Sequence, residues 1–199
     1  MAFALVALLT VTGLVPGQSA LPAPVQAIID RSHATRANYS VVLRTQVIRS
    51  GVATIENAAE YQFGPMHRVE VALTRVLANC DTGENILYDV TNARLVMRPE
   101  IGGGACGIAV AADKVLAARM LPPVKGSFGK ADVIELVGEK FVRRYTVTPD
   151  GIIVRNDWTP RDPSVAFSLK TLSTKLARGK PDRRLFKTAS LAKPAPPLP

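Results

Sequence analysis

Two histidines and two cysteines are the residues from which this chain could build nucleophilic or metal chemistry. His33 and His67 stand far apart, and neither has a serine, cysteine or carboxylate at the spacing of a catalytic motif. Two cysteines with two scattered histidines do not make a normal zinc site. Cys80 and Cys106 lack the C-x-x-C spacing of a redox pair. Asp81, Glu84 and Asp89 are near one another without calcium-loop spacing. Gly102-Gly103-Gly104 is followed by no Lys-Ser/Thr pair, so it reads as a loop and not a phosphate cradle. These absences point away from an enzyme and from a bound cofactor. The basic clusters, Arg143-Arg144 and Lys180 with Arg183 and Arg184, read as solvated surface. Aromatic residues make up only 6% of the chain, too few for base-stacking platforms, so nucleic acid is not an expected partner.

The elements that would position any site begin after an export signal. Phe3 to Val15 is a 13-residue apolar run, followed by Pro16-Gly17 and the small residues Ser19-Ala20. This matches a secretory segment cleaved near Ser19-Ala20, and the run is short for a bilayer span. No Lys or Arg precedes it, which is atypical, and the alternative is a buried N-terminal helix. Residues 1–20 are read as the signal peptide, 21–187 as one domain and 188–199 as a disordered Pro-rich tail. The expected compartment is the periplasm. In an oxidising compartment, Cys80 and Cys106 are expected to form a disulfide. They are 26 positions apart, a loop whose closure is worth roughly 3–4 kcal/mol in the chain-entropy picture. The first 29 residues carry no charge, so the net +9 lies wholly beyond them. Such a balance favours anionic partners, an anionic membrane surface among them.

Val25, Ile28 and Ile29 are spaced for a short amphipathic helix. Strand signals follow: Tyr39–Arg49, the turn pair Ser50-Gly51, then Val52–Phe63 closed by Gly64-Pro65. Val69, Val71, Leu73 and Leu77 share one parity, as one face of a half-buried strand would. Ile86–Val90 and Arg94–Met97 read as a hairpin. A helical pattern over Ala111–Leu121 carries Val115, Leu116 and Met120 and stops at Pro122-Pro123. Strand signals resume at 131–137, 140–148, 152–158 and 164–176. Strands with few helices between them imply antiparallel pairing. The expected class is α+β: a curved antiparallel sheet, an open half-barrel, with the N-terminal and mid-chain helices covering its concave face. If the helices underfill that face, an apolar pocket results; otherwise it is packed core.

Several segments resemble the periplasmic outer-membrane lipoprotein carrier family (LolA/LolB-like). Tyr39–Gly51 is similar to its first strand and turn. Pro65 followed by Arg68-Val69-Glu70 resembles its strand-opening segment, although Val69 stands where an aromatic is usual. Tyr145-Thr146-Val147 with Gly151-Ile152 resembles its late hairpin. Phe167–Leu172, then Pro181-Asp182 and Leu185-Phe186, resembles its close. The resemblance implies a non-catalytic function: binding and transport of a lipid or lipoprotein acyl chain. An envelope protein-interaction or stress-sensor module with a packed core is the alternative. On the carrier reading, Val69, Val71, Leu73, Leu77, Phe141, Tyr145, Phe167 and Leu169 are expected to line the apolar side of the sheet. Val115, Leu116 and Met120 are expected to form a lid helix above them.

Overall fold

In the computed structural model, the described residues are 21–34, 37–97 and 106–196. The signal segment and the triple glycine therefore lie outside them. Helix α1 (Ala23–Ala34) is followed by β1 (Tyr39–Arg49), β2 (Val52–Phe63), β3 (Met66–Val71), β4 (Thr74–Asn79), β5 (Asn85–Asp89) and β6 (Arg94–Met97). The 3-10 turn Val110–Ala112 precedes β7 (Val115–Gly126), β8 (Gly129–Gly138), β9 (Phe141–Val147), β10 (Ile153–Pro160) and β11 (Phe167–Arg178). Two further 3-10 turns, Arg183–Phe186 and Thr188–Ala192, follow.

All the strands form one antiparallel sheet in the order β6-β5-β4-β3-β2-β1-β11-β10-β9-β8-β7. The chain enters at the middle, with β1, and meanders outward to one edge. It then crosses to the far edge at β7 and meanders back until β11 pairs with β1. Each short connection pairs neighbours directly; the crossing is the one long link. Ser50 and Gly51 both have positive φ, 49° and 78°. That backbone is the two-residue turn whose twist suits a hairpin, and it sets Arg49 opposite Val52.

Two apolar clusters form the core. Val25, Ile28 and Ile29 of α1 pack on Ile108, Ile134, Leu136, Tyr145 and Val147. A second cluster joins Tyr39, Val41 and Leu43 to Ile152 and Val154. The helix is a plug because its apolar residues fall on one stripe while Gln26 and Asp30 bond each other on the exposed side. Its end is fastened to the crossing segment. Ser32 Oγ accepts from Ile108 N at 3.2 Å, and His33 Nε2 lies 2.9 Å from Ile108 O. The His33 ring sits so close to Gly107, whose φ is +133°, that a Cβ there would be 2.7 Å from it.

Three expectations are overturned. The mid-chain helix does not form: Val115, Leu116 and Met120 belong to edge strand β7. Alanines at 111, 112, 117 and 118 favour a helix locally, but pairing from Val115↔Gly138 to Gly126↔Gly129 wins. Pro122-Pro123 is tolerated because it falls where the register shifts, on the edge strand of the described sheet. Second, residues 66–79 are a hairpin and not one strand. The turn Ala72-Leu73 pairs Val71 with Thr74, so odd positions pair with even ones. Val69 therefore shares a face with Val76, and Leu77 shares the other with Arg68. Third, the tail is docked over Thr188–Pro196. Leu191 is fully buried, Tyr61 Oη donates to Pro196 O at 3.3 Å, and Ala195 N donates to Glu70.

Candidate functional site

At the β7–β11 end of the sheet, five consecutive strands contribute to a single cavity of about 450 Å³. Ser127 at the tip of the β7–β8 hairpin reaches β11, its Oγ donating to Thr174 O at 3.2 Å. The register places this cavity on the face opposite α1. Ile134 and Tyr145 pair with each other and pack under the helix. Their neighbours Val133 and Thr146 pair on the other side, with Arg155 beside Thr146, and these line the cavity.

The walls differ in character. Leu121, Pro122, Val124, Phe128 and Val133 form an apolar side. Lys125, Arg144 and Arg155 line it with positive charge, against the one carboxylate Asp157. Arg144 also donates through Nε to Glu135 Oε2 at 2.6 Å, and Arg119 donates to Glu135 Oε1 at 2.8 Å. Burial pushes the Glu135 carboxyl up, but hydrogen bonds from these two arginines outweigh it and hold the group below the ordinary glutamate range. Asp157 bonds Arg155 at 2.8 Å and accepts from Thr171 N at 2.8 Å. Both acids are thus committed to holding cations and backbone in place. A second cavity of about 280 Å³, lined by Asn57, Ala59, Glu70, Val71 and Pro194 among others, sits beside the docked tail.

The residues expected to line an apolar binding face are scattered by the fold. Tyr145 is buried beneath α1, and burial pushes its hydroxyl pKa up. Leu77 is buried on the opposite face from Val69. Phe141 packs its ring 5.6 Å from Trp158 and 6.2 Å from Phe167, with Leu169 opposite Trp158. Leu73 is 64% exposed at its turn, and Val71 lines the smaller cavity. None of the eight lines the larger cavity. Of β7, Leu116 and Met120 are exposed at the sheet edge.

Sequence reasoning missed the two largest fully buried side chains, both arginines. Arg68 donates to the carbonyls of Leu185, Ser190 and Lys193, to Ser190 Oγ and to Glu70. Arg143 donates to the carbonyls of Ala109, Val110 and Asp113, and its guanidinium lies 5.5 Å from the Trp158 ring centre. Each pins a segment outside the sheet by its backbone. The signal available was strand parity, which separates Arg143 from Arg144 and sets Arg143 on the Tyr145 side. The histidines have structural surroundings: His33 meets Ile108 O, and His67 is buried beside Tyr39 and 3.6 Å from Glu60. Among the described residues, no group of three or more His, Cys, Asp or Glu side chains is placed to hold a metal ion. No helix of the described residues is long and apolar enough to cross a membrane. Cys80 and Cys106 are disulfide-bonded, with Cα atoms 5.5 Å apart.

No family model and no curated protein matches the chain. Solved structures do. An uncharacterized conserved protein from Thermus thermophilus is 16% identical, with a TM-score of 0.51 over 86% of this chain and 94% of that one. MucB is 9% identical, with a TM-score of 0.50 over 85% of this chain, which spans only 64% of the MucB chain. A LolA superfamily protein, NE2245 from Nitrosomonas europaea, is 11% identical, with a TM-score of 0.44 over 83% of this chain and 98% of that one. At such identities the likeness is one of fold. The chain thus shares a fold with the first two of these, and in this chain that fold is an open antiparallel sheet with one helix packed against it.

Proposed function

We propose that this protein is a non-catalytic, exported binding protein that holds an acyl chain in the β7–β11 cavity. The observation that carries the reading is the cavity itself. Its 450 Å³ falls within the roughly 300–1,000 Å³ of small-molecule sites. One wall is apolar enough to take a chain out of water, gaining about 0.8 kcal/mol per buried methylene. The seat is therefore on the face away from α1, among strands whose pairing fixes the lining. The open curved sheet agrees with a binder that seats its ligand on the sheet, and it does not name the cargo. Transport of lipoproteins would be one use of such a seat.

A second reading has its own observation. Edge strand β7 presents Leu116 and Met120 at 48% and 39% exposure beside a side that no strand of the described residues pairs. A protein partner that adds a strand there would make the chain an interaction module.

Native mass spectrometry of the protein purified from periplasm separates the two. We expect the oxidised chain to carry an acyl-containing small molecule. Val133→Asp, which places a charge in the apolar wall, should lose it while remaining exported and folded. An empty wild-type chain that also fails to take up a long-chain acyl probe would sink the carrier reading and leave the β7 edge as the site to pursue.

A further inference from the structure

We infer that the β7–β11 cavity selects one single-chain acyl anion, a ligand with one aliphatic tail and a carboxylate or phosphate oxygen head. This deepens the proposed function and rests on it. Two independent features carry the inference. The first is a surplus of positive charge at the rim. Lys125, Arg144 and Arg155 line the cavity, while the neighbouring acids are Asp157 in its lining and Glu135, which also pairs with Arg119. Those two are consumed by Arg119, Arg144 and Arg155. Lys125 pairs with no carboxylate among the described residues. Lys125 stands on the β7–β8 hairpin, whose tip reaches β11 through Ser127.

The second feature is size. At about 450 Å³ the cavity is near the small end of ligand sites, and Phe128 narrows it between β7 and β11. One chain can run along Leu121, Val124 and Val133 with its head toward Lys125 and Arg144. Charge-assisted hydrogen bonds from a guanidinium suit carboxylate and phosphate oxygens. Two or three chains on one head group, as a diacyl lipid has, need more lining than these five strands provide.

The test is a competition series on the whole mature protein. A fluorescent long-chain fatty acid is the probe, displaced in turn by the unlabelled acid, the single-chain phosphate ester, the alcohol of equal length, the primary amine and a short diacyl phosphatidylglycerol. We expect the two anions to displace it and the alcohol and amine to bind roughly tenfold weaker or worse, the loss of one charge-assisted contact. The diacyl lipid should not displace it. Lys125→Glu, at an exposed residue, should weaken the acid by a similar factor and leave the alcohol unchanged. Equal binding of acid, alcohol and amine, unaltered by Lys125→Glu, overturns the head-group assignment while the acyl seat stands. Displacement by the diacyl lipid overturns the single-chain assignment. A probe that does not bind at all overturns this inference and the proposed function together.

Discussion

Replacing Arg68 with methionine should lower the stability of the folded chain by about 3–5 kcal/mol, the cost of breaking a buried charged contact from one side. The guanidinium is fully buried and meets Glu70, Ser190 Oγ and the carbonyls of Leu185, Ser190 and Lys193. Methionine keeps much of the volume and withdraws the donor from every one of those acceptors. Around this bond centre the strap is fixed by weaker contacts. Arg75 donates to Leu191 O at 2.8 Å, the Phe63 and Phe186 rings are 5.9 Å apart, and Leu191 is buried. These do not compensate a half-buried carboxylate that has lost its cation. The melting temperature should therefore fall by roughly 10 °C, and a protease should remove residues beyond Gly179 while the sheet survives. Arg68→Lys should also lose much of the stability, because an ammonium cannot reproduce the fork that reaches three carbonyls. A methionine variant that melts with the wild type and keeps a protected tail would show that the strap holds itself.

Removing both cysteines, as Cys80→Ser with Cys106→Ser, should cost roughly 3–4 kcal/mol, the loop-closure value for a 26-position separation. The consequence should be local before it is global. Cys80 follows β4 and its amide donates to Pro65 O, prolonging the β3–β4 ladder. Cys106 opens the described part of the long crossing, which α1 and Arg143 then secure at 108–113. Without the bond, amides near Cys80 should exchange faster than those of β8 and β9. Addition of a reductant should lower the melting temperature of the wild type and leave the double variant unmoved. Equal melting of the two oxidised proteins would mean that the crossing is already fixed by Arg143 and the helix.

Much of the fold is legible in the residues because strand and turn signals are local. Ser50-Gly51 specifies its hairpin by backbone preference, and the alternation at 39–49 and 131–147 needs no distant information. The three errors come from where that information ends. The alanines before and within β7 prefer a helix, and only pairing with β8 makes 115–126 a strand. Ala72-Leu73 carries no glycine, proline or asparagine, so a turn there is invisible, and one hidden turn reverses which residues share a face. Proline-rich composition suggests a free tail. The tail is held instead through its carbonyls by an arginine of β3, a contact that depends on no tail side chain except Ser190. The cavity is unreadable for the same reason. Leu121, Phe128, Val133 and Arg155 meet only because β7–β11 curl, and curl is a property of the assembled sheet. The aromatic residues that look most suited to an apolar ligand, Phe141, Tyr145 and Phe167, are taken up by packing.

Photolabelling with a diazirine-bearing long-chain fatty acid, followed by peptide mapping, tests whether an acyl chain sits in the β7–β11 cavity on the face away from α1. Crosslinks should concentrate in residues 121–133, at the apolar wall, with further label in 144–157. Label concentrated instead in α1 and in residues 69–77, or spread evenly over the surface, would contradict it.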